Sequence, residues 1–421
     1  MAVTIDGATG SLVVNGQKLF PLGLSDPPPL GGAAPGGNDA WAEIASAGAN
    51  FIRSGRSDWN LQQLDQQIAQ ERARLDQAGA HHLLCWPRLT DAAGNLPTTP
   101  NSPAEQLLVR IVNGLKDHPA LGAWKGVDEP ANPNRPVPVP AAGLVRAYNR
   151  LKQLDRDHPV VITQAPLGPA GGLLRYRPAF DVTGADIYPV SYPPGEHSDL
   201  PNKDISVVGD VTKKMVQAAG SKPLWMTLQI AWSGIVPRRQ RPNLVPRFPT
   251  LQEERFMAYQ AIVNGARGLV FFGGDLTAVM RPRDAHLGWN WTFWQLVLRP
   301  LLIELASPGV RPALLAPTVA GVQASAADVE LVARDDGTFL YLIAVRRSGT
   351  LTSRVTFTRL PRRRNGAPIG GGEVVFEYAQ APLPPPIDPT RQVFRRISVA
   401  NDRFTDWFGP HDTHVYRFSL D

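Results

Sequence analysis

Eight short apolar runs, separated by helical stretches, fill roughly the first 300 residues of this 421-residue chain, and that alternation limits the fold more than any other feature. The runs are 20–24, 50–53, 82–86, 121–127, 159–163, 180–187, 223–228 and 268–272. Helical patterns lie near 39–47, 61–78, 141–157, 206–219 and 291–306. Two more helices open on capping boxes, Ser102-Pro-Ala-Glu105 and Thr250-Leu-Gln-Glu253, in which the hydroxyl and the carboxylate satisfy each other's free backbone N–H groups. Apolar strands connected through helices make a parallel sheet covered on both faces. Eight of them fit a closed (β/α)8 barrel. An open doubly wound sheet would need a glycine-rich phosphate turn after its first strand, and Gly23-Leu-Ser-Asp26 is not one. Before the first run, residues 3–20 alternate and turn at Asn15-Gly16, which predicts a β-hairpin.

Beyond Pro312 the period changes to two. The segments 329–333, 339–345, 354–357, 374–378 and 414–418 are separated by turns such as Asp335-Asp-Gly337 and Asn365-Gly366. This predicts an antiparallel β-sandwich over 313–421, following the barrel with its N-terminal hairpin over 1–312. The proline-rich stretch 381–386 reads as a stiff surface connection.

Composition removes several function classes. Cys85 is the only cysteine, so no internal disulfide and no paired-cysteine zinc or redox site can form. No His-x-x-x-His pair lies on a helix, so no metal site is expected, and no cofactor either. A Gly-x-Ser-x-Gly elbow is absent. The net charge of +6 collects in scattered turns at 238–241, 362–364 and 395–396, which build no continuous track for nucleic acid. No apolar run is long enough to span a membrane. The opening Met1-Ala-Val-Thr-Ile-Asp6 has no secretory signal, so the expectation is cytoplasmic, or secreted or periplasmic if a leader was removed. Oligomeric state stays open.

In a barrel of this kind chemistry gathers at the C-terminal ends of the strands. Strand by strand, that rule selects Asp26, Arg53, Trp86 with Arg88, Asp128 with Glu129, Gln164, Asp186 with Tyr188, Gln229 with Trp232, and Asp275. Carboxylates, an arginine, amides and indoles suit a carbohydrate, whose hydroxyls need donors and acceptors and whose rings stack on aromatic faces. Within Trp124-Lys-Gly-Val-Asp-Glu-Pro130, Glu129 is placed for general acid work beside Asp128. Among the remaining tryptophans, Trp289 reads as a sugar platform, and Trp225 and Trp407 as packing.

Several short motifs resemble glycoside hydrolases of the large clan built on (β/α)8 barrels. They are Leu22-Gly-Leu24, Ala47-Gly-Ala-Asn-Phe-Ile-Arg53, His118-Pro119 leading into Asp128-Glu129-Pro130, Asp186-Ile-Tyr-Pro189 and Asn264-Gly-Ala-Arg-Gly268. The segment from Phe404 to Tyr416 resembles the C-terminal domain that often follows such barrels. The resemblance implies a glycosidase whose acid/base is Glu129, with Asp128 where that clan has asparagine, and with Arg53 as the strand-two arginine. It also implies a glutamate nucleophile at the end of strand seven, where this chain has Gln229. An amide cannot form a glycosyl ester. Three solutions remain open: Asp186, or failing it Asp275, activates water in an inverting reaction; an Asp128–Glu129 pair works with a substrate acetamide; or the barrel binds carbohydrate without cleaving it.

Overall fold

The structure is a computed structural model that describes residues 2–89, 99–135, 137, 139–192, 194, 197–230, 247–276, 280–377 and 393–421. A three-stranded antiparallel sheet comes first, β1 (Val3–Ile5), β2 (Leu12–Val14) and β3 (Gln17–Leu19). The next eight strands are β4 (Leu22–Leu24), β5 (Phe51–Gly55), β6 (Leu84–Arg88), β7 (Trp124–Asp128), β8 (Val160–Gln164), β9 (Val182–Ala185), β10 (Leu224–Gln229) and β11 (Ala266–Phe272). They form a closed barrel, sealed where Leu269, Val270 and Phe271 of β11 pair in parallel with Leu22, Gly23 and Leu24 of β4. Each predicted run supplies one strand.

Helices α1 (Ala40–Ser46), α2 (Leu64–Ala80), α3 (Pro103–Leu115), α4 (Ala141–Leu154), α5 (Ala170–Leu174), α6 (Val207–Ala219) and α7 (Leu251–Val263) fall between the strands. The Ser102 hydroxyl caps α3 by accepting from the Glu105 N–H at 3.2 Å, and α7 carries the full Thr250–Glu253 capping box. Helix α5 has no counterpart in the sequence reading; five residues with two glycines show no helical period. After α8 (Pro282–His286), the long helix expected over 291–306 is interrupted: α9 (Trp291–Phe293) runs into a π turn over Trp294–Leu298 before α10 (Arg299–Ala306) and α11 (Arg311–Leu315). Pro300 sits in the first turn of α10 and brings no N–H to the ladder, a local reason for the change of pitch.

Inside the barrel, Phe51, Trp86, Ala123, Val161, Trp225 and Val270 pack together. Val3 and Leu12 of the N-terminal sheet join the same cluster. The Val3 N–H donates to the Asp157 carbonyl at 3.0 Å, just ahead of β8, so this sheet stops the N-terminal end of the barrel. The opposite end is left for polar groups.

The C-terminal strands are β12 (Thr318–Val319), β13 (Gln323–Ala324), β14 (Val329–Asp335), β15 (Phe339–Arg346), β16 (Ser353–Thr358), β17 (Gly371–Glu377), β18 (Val393–Ser398), β19 (Phe404–Phe408) and β20 (Thr413–Ser419). They make a six-stranded sheet in the order β12-β14-β15-β20-β17-β18 and a three-stranded sheet β13-β16-β19. Leu342, Phe357, Phe404, Phe408, Tyr416 and Phe418 fill the sandwich between them. Asp406 of β19 links the sheets, accepting from Arg395 of β18 at 2.7 Å and from Tyr416 of β20 at 2.8 Å. Trp407, expected in packing, is instead 60% exposed, because its neighbours Asp406 and Phe408 take the inward positions of β19. The stretch 381–386 lies outside the described residues.

Two compact units result, residues 1–248 with 266–291, and residues 249–265 with 292–421. The second therefore includes α7, which packs on β15. Arg255 of α7 donates to both carboxylate oxygens of Glu304, which also accepts from the Tyr259 hydroxyl at 2.7 Å. Its neighbour Glu254 is fully buried, and neither carboxylate oxygen has a hydrogen-bond partner among the described residues. No helix of the described residues is long and apolar enough to cross a membrane.

Burial pushes the Glu254 carboxyl well above the usual range, and the charge of Glu253 adds to the effect. A carboxyl raised on folding stabilises the fold fully below its unfolded value, and that contribution is lost as pH rises through the folded value. Glu254→Gln is therefore expected to stabilise the protein at pH 7.5 by about 1 kcal/mol or more. The gain should vanish near pH 4, as read by denaturant titration across pH.

Candidate active site

Alternation along each strand decides which side chains reach the barrel mouth. On β5, Phe51 points inward and so does Arg53; on β8, Val161 and Thr163 line the mouth. Gln164, one residue on, therefore faces the opposite side. It is 1% exposed, and its amide has no partner among the described residues. The expectation that Gln164 holds substrate is thus corrected by register.

The mouth opens as a cavity of about 320 Å³. Arg53, Lys125, Asp128, Glu129, Asp186 and Tyr188 are among its lining, over a floor that includes Trp86 and Trp225. Trp86 is 2% exposed and packs on Phe51 with ring centroids 5.3 Å apart, so it is a floor and not a free platform. Gly23 permits this, since a Cβ there would meet the Trp86 ring at 3.1 Å.

Glu129 leaves β7 with a positive φ of 46°, a conformation few non-glycine residues adopt. Its N–H donates to the Thr163 carbonyl at 2.8 Å, which fixes the turn, and one carboxylate oxygen accepts from the Asn132 amide at 2.8 Å. Asp186 lines the same cavity as Glu129, and its Oδ1 has no hydrogen-bond partner among the described residues. Burial pushes Asp186 well above the usual carboxylate range, and the charges of Glu129 and Asp128 push the same way. Asp128 behaves oppositely. Burial opposes its ionisation, but the charge of Lys125, its hydrogen bond at 2.8 Å, and the fields of Arg53 and Arg88 hold it below the usual range. One mouth thus contains a carboxyl pushed toward its neutral form and another pushed toward its ionised form.

Tyr188 is buried between the His197 and Phe272 rings, at centroid distances of 4.4 and 5.6 Å. Burial raises its hydroxyl well above the usual range, and the surrounding carboxylates add to the shift.

Asp26 and Arg53 form an ion pair on the neighbouring wall, and the second Asp26 oxygen accepts from the Gly273 N–H at 3.2 Å. Burial raises the Asp26 carboxyl, against the opposing charge of Arg53. Both residues border a second depression of about 310 Å³, together with Arg88 and Asp275. Arg53 and Ser25 line both spaces. Asp275 is exposed there and is not among the residues that line the cavity of Glu129.

Two further expectations are corrected. Gln229 is completely buried, its oxygen accepting from the Val190 N–H at 2.7 Å and its nitrogen donating to the Val190 carbonyl at 2.9 Å. Its hydrogen-bonding capacity is spent on backbone. Trp289 is 1% exposed, donates to the Asp26 carbonyl at 2.8 Å and packs edge-on against Trp291, so it braces the loop that carries Asp26. Trp232 lies outside the described residues. Sequence reasoning overlooked Lys125, whose signal was a lysine inside an apolar strand, and also His197 and Asn132, whose loops carry no pattern.

No family model matches the chain, and no curated protein matches it. Solved structures do. A family 5 glycoside hydrolase from Bacteroides vulgatus aligns over 99% of this chain and 93% of its own, at 12% identity and a TM-score of 0.61. The family 30 subfamily 8 xylanase of Clostridium acetobutylicum covers 99% of each chain, at 14% identity and a TM-score of 0.54. A family 51 α-L-arabinofuranosidase from Bifidobacterium longum covers 99% and 97%, at 11% identity and a TM-score of 0.53. The chain has the fold of the barrel glycoside hydrolases. At these identities the likeness is one of architecture, (β/α)8 barrel plus β-sandwich, across the full length.

The electrostatics yield a direct test. Replacing Lys125 with methionine removes the largest influence favouring ionised Asp128. In Lys125→Met the Asp128 carboxyl should titrate at higher pH than in the parent, as followed by carboxyl-carbon NMR, whereas an unchanged titration would contradict the pairing.

Proposed function

We propose that this protein is a glycosidase, cleaving an O-glycosidic bond in an oligosaccharide, polysaccharide or glycoconjugate, with Glu129 as the residue that protonates the leaving oxygen. The observation that supports this reading is the separation of carboxyl behaviour in one cavity: Asp186 driven toward its neutral form and Asp128 toward its charged form. Carboxyls whose environments move them in opposite directions are how one site supplies an acid and a base at the same pH.

In the proposed reaction Glu129 carries the proton, with Asp186, pushed toward its neutral form, in the same cavity. The glycosidic C–O bond breaks as Glu129 delivers that proton to the departing oxygen. Asp128, ionised, faces the positive charge that develops on the sugar ring and takes a proton from the attacking water, whose oxygen bonds to the anomeric carbon. Pushed toward its neutral form, Asp186 is less suited than Asp128 to take a proton from water. Arg53 and Tyr188 contact substrate in this scheme.

A second reading is a carbohydrate-binding barrel without turnover. The clamping of Gln229 onto Val190 favours it, since the strand-seven position then offers substrate nothing. Calorimetry with oligosaccharides beside an assay for released reducing ends separates the two, because binding without release selects the second.

For the hydrolase, Glu129→Gln is expected to lower turnover of aryl glycosides with demanding leaving groups by about 100-fold or more; unchanged turnover on a broad panel removes Glu129 from the reaction. The pH profile should fall on the alkaline side as Asp186, pushed well above the usual carboxylate range, loses its proton. It should fall on the acid side only where Asp128 protonates, below the usual carboxylate range. Asp186→Asn should shift the alkaline limb and leave the acid limb in place.

A further inference from the structure

The second depression contains a cation the proposed reaction does not use. Four arginines border it: Arg53, Arg56, Arg74 and Arg88. Arg53 is paired with Asp26, Arg56 with Asp58 at 2.9 Å, and Arg74 with Glu71 at 3.2 Å. Arg88 makes no side-chain ion pair or hydrogen bond with any described residue, although its field reaches Asp128. It stands at the end of β6, and its backbone is locked in place: the Trp59 indole donates to the Arg88 carbonyl at 3.0 Å, and a Cβ at Gly55 would fall 2.3 Å from the Arg88 nitrogen. A planar donor fork held on a rigid strand, partly shielded from water, suits an oxyanion. Asp275 borders the same depression, also unpaired among the described residues, and offers acceptors for hydroxyl groups.

We propose that this depression is a subsite for a sugar unit bearing an oxyanion, a uronate carboxylate or a sulfate ester, with Arg88 receiving the charge and Asp275 the hydroxyls. The proposal deepens the glycosidase reading by naming its substrate class and rests on that reading for the route from one space to the other, through their shared residues Arg53 and Ser25. Side-chain chemistry supports it. After the three ion pairs are set aside, Arg88 and Asp275 remain: the guanidinium can donate in parallel to both oxygens of an oxyanion, which a single hydroxyl cannot match, and the carboxylate can accept from ring hydroxyls.

The test is equilibrium binding by calorimetry to the whole protein. Glucuronate-, galacturonate- and mannuronate-containing tetrasaccharides are each compared with their carboxyl-reduced neutral forms, and a sulfated tetrasaccharide is compared with its desulfated form. At least one anionic ligand should bind about tenfold or more tighter than its neutral counterpart, with the preference shrinking at high salt. A sulfate preference assigns the oxyanion to an ester, and a uronate preference to a carboxylate. Arg88→Gln should abolish the preference while leaving neutral binding within about twofold, and Arg88→Lys should retain part of it. Equal binding of charged and neutral partners by the unmodified protein overturns the proposal, and so does failure to bind any anionic ligand at millimolar concentration; neither result depends on a variant folding. Preference for an anionic ligand without any turnover would refute the glycosidase reading and leave the subsite standing. Hydrolysis of neutral glycosides as readily as of acidic ones, with no binding preference, would do the reverse.

Discussion

Closure of the barrel is the constraint from which the site follows. Once β11 pairs with β4 there is no free edge, and every second residue on each strand points into one enclosed space. Below, that space is filled by Phe51, Trp86, Trp225 and their neighbours and stopped by Val3 and Leu12. Above, the inward positions are taken by Arg53, Lys125, Asp128 and Thr163, which cannot be packed away and so meet one another. The same geometry that buries the apolar residues concentrates the charged ones.

Pairing then sorts those charges. Lys125 is 4% exposed, an uncommon state for an ammonium group, and is tolerable because Asp128 lies 2.8 Å away. Arg53 and Asp26 satisfy each other on the adjoining wall. What is left, an Asp186 carboxyl pushed toward its neutral form and the Arg88 guanidinium, which has no side-chain partner among the described residues, is the part of the mouth that has a use for something from outside. The strained turn at Glu129 fits this view, since backbone in rare conformations persists where the surroundings over-determine it.

Much of this was legible in the sequence, and the reasons differ by element. The barrel strands are continuous apolar runs and the helices open on explicit caps, so local chemistry declares both. Glu129, Asp128 and Arg53 could be placed because the end of a barrel strand is a predictable location. Gln164 was misassigned because the run of letters gives the end of a strand but not which face its last residue takes, and a shift of one position separates the mouth from the outer layer; Gln229 shares the parity of Trp225 and Thr227, but its amide is closed onto the Val190 backbone, a tertiary contact with no sequence signature. Trp289 was misread because an indole in a glycine-rich loop looks exposed until its tertiary partner, the Asp26 carbonyl, is known. The meeting of Glu129 and Asp186 in one cavity brings together residues from different strands and has no sequence signature.

Trp407 has a practical consequence for solution work. Among the described tryptophans it alone is solvent-facing; Trp41, Trp59, Trp86, Trp124, Trp225, Trp289, Trp291 and Trp294 are each no more than 5% exposed. A collisional quencher such as iodide would thus extinguish the red-shifted part of the indole emission first. Among the described tryptophans that fraction belongs to Trp407 of the C-terminal sandwich, and a Trp232→Phe background would make it an intrinsic fluorophore for following that unit without a label.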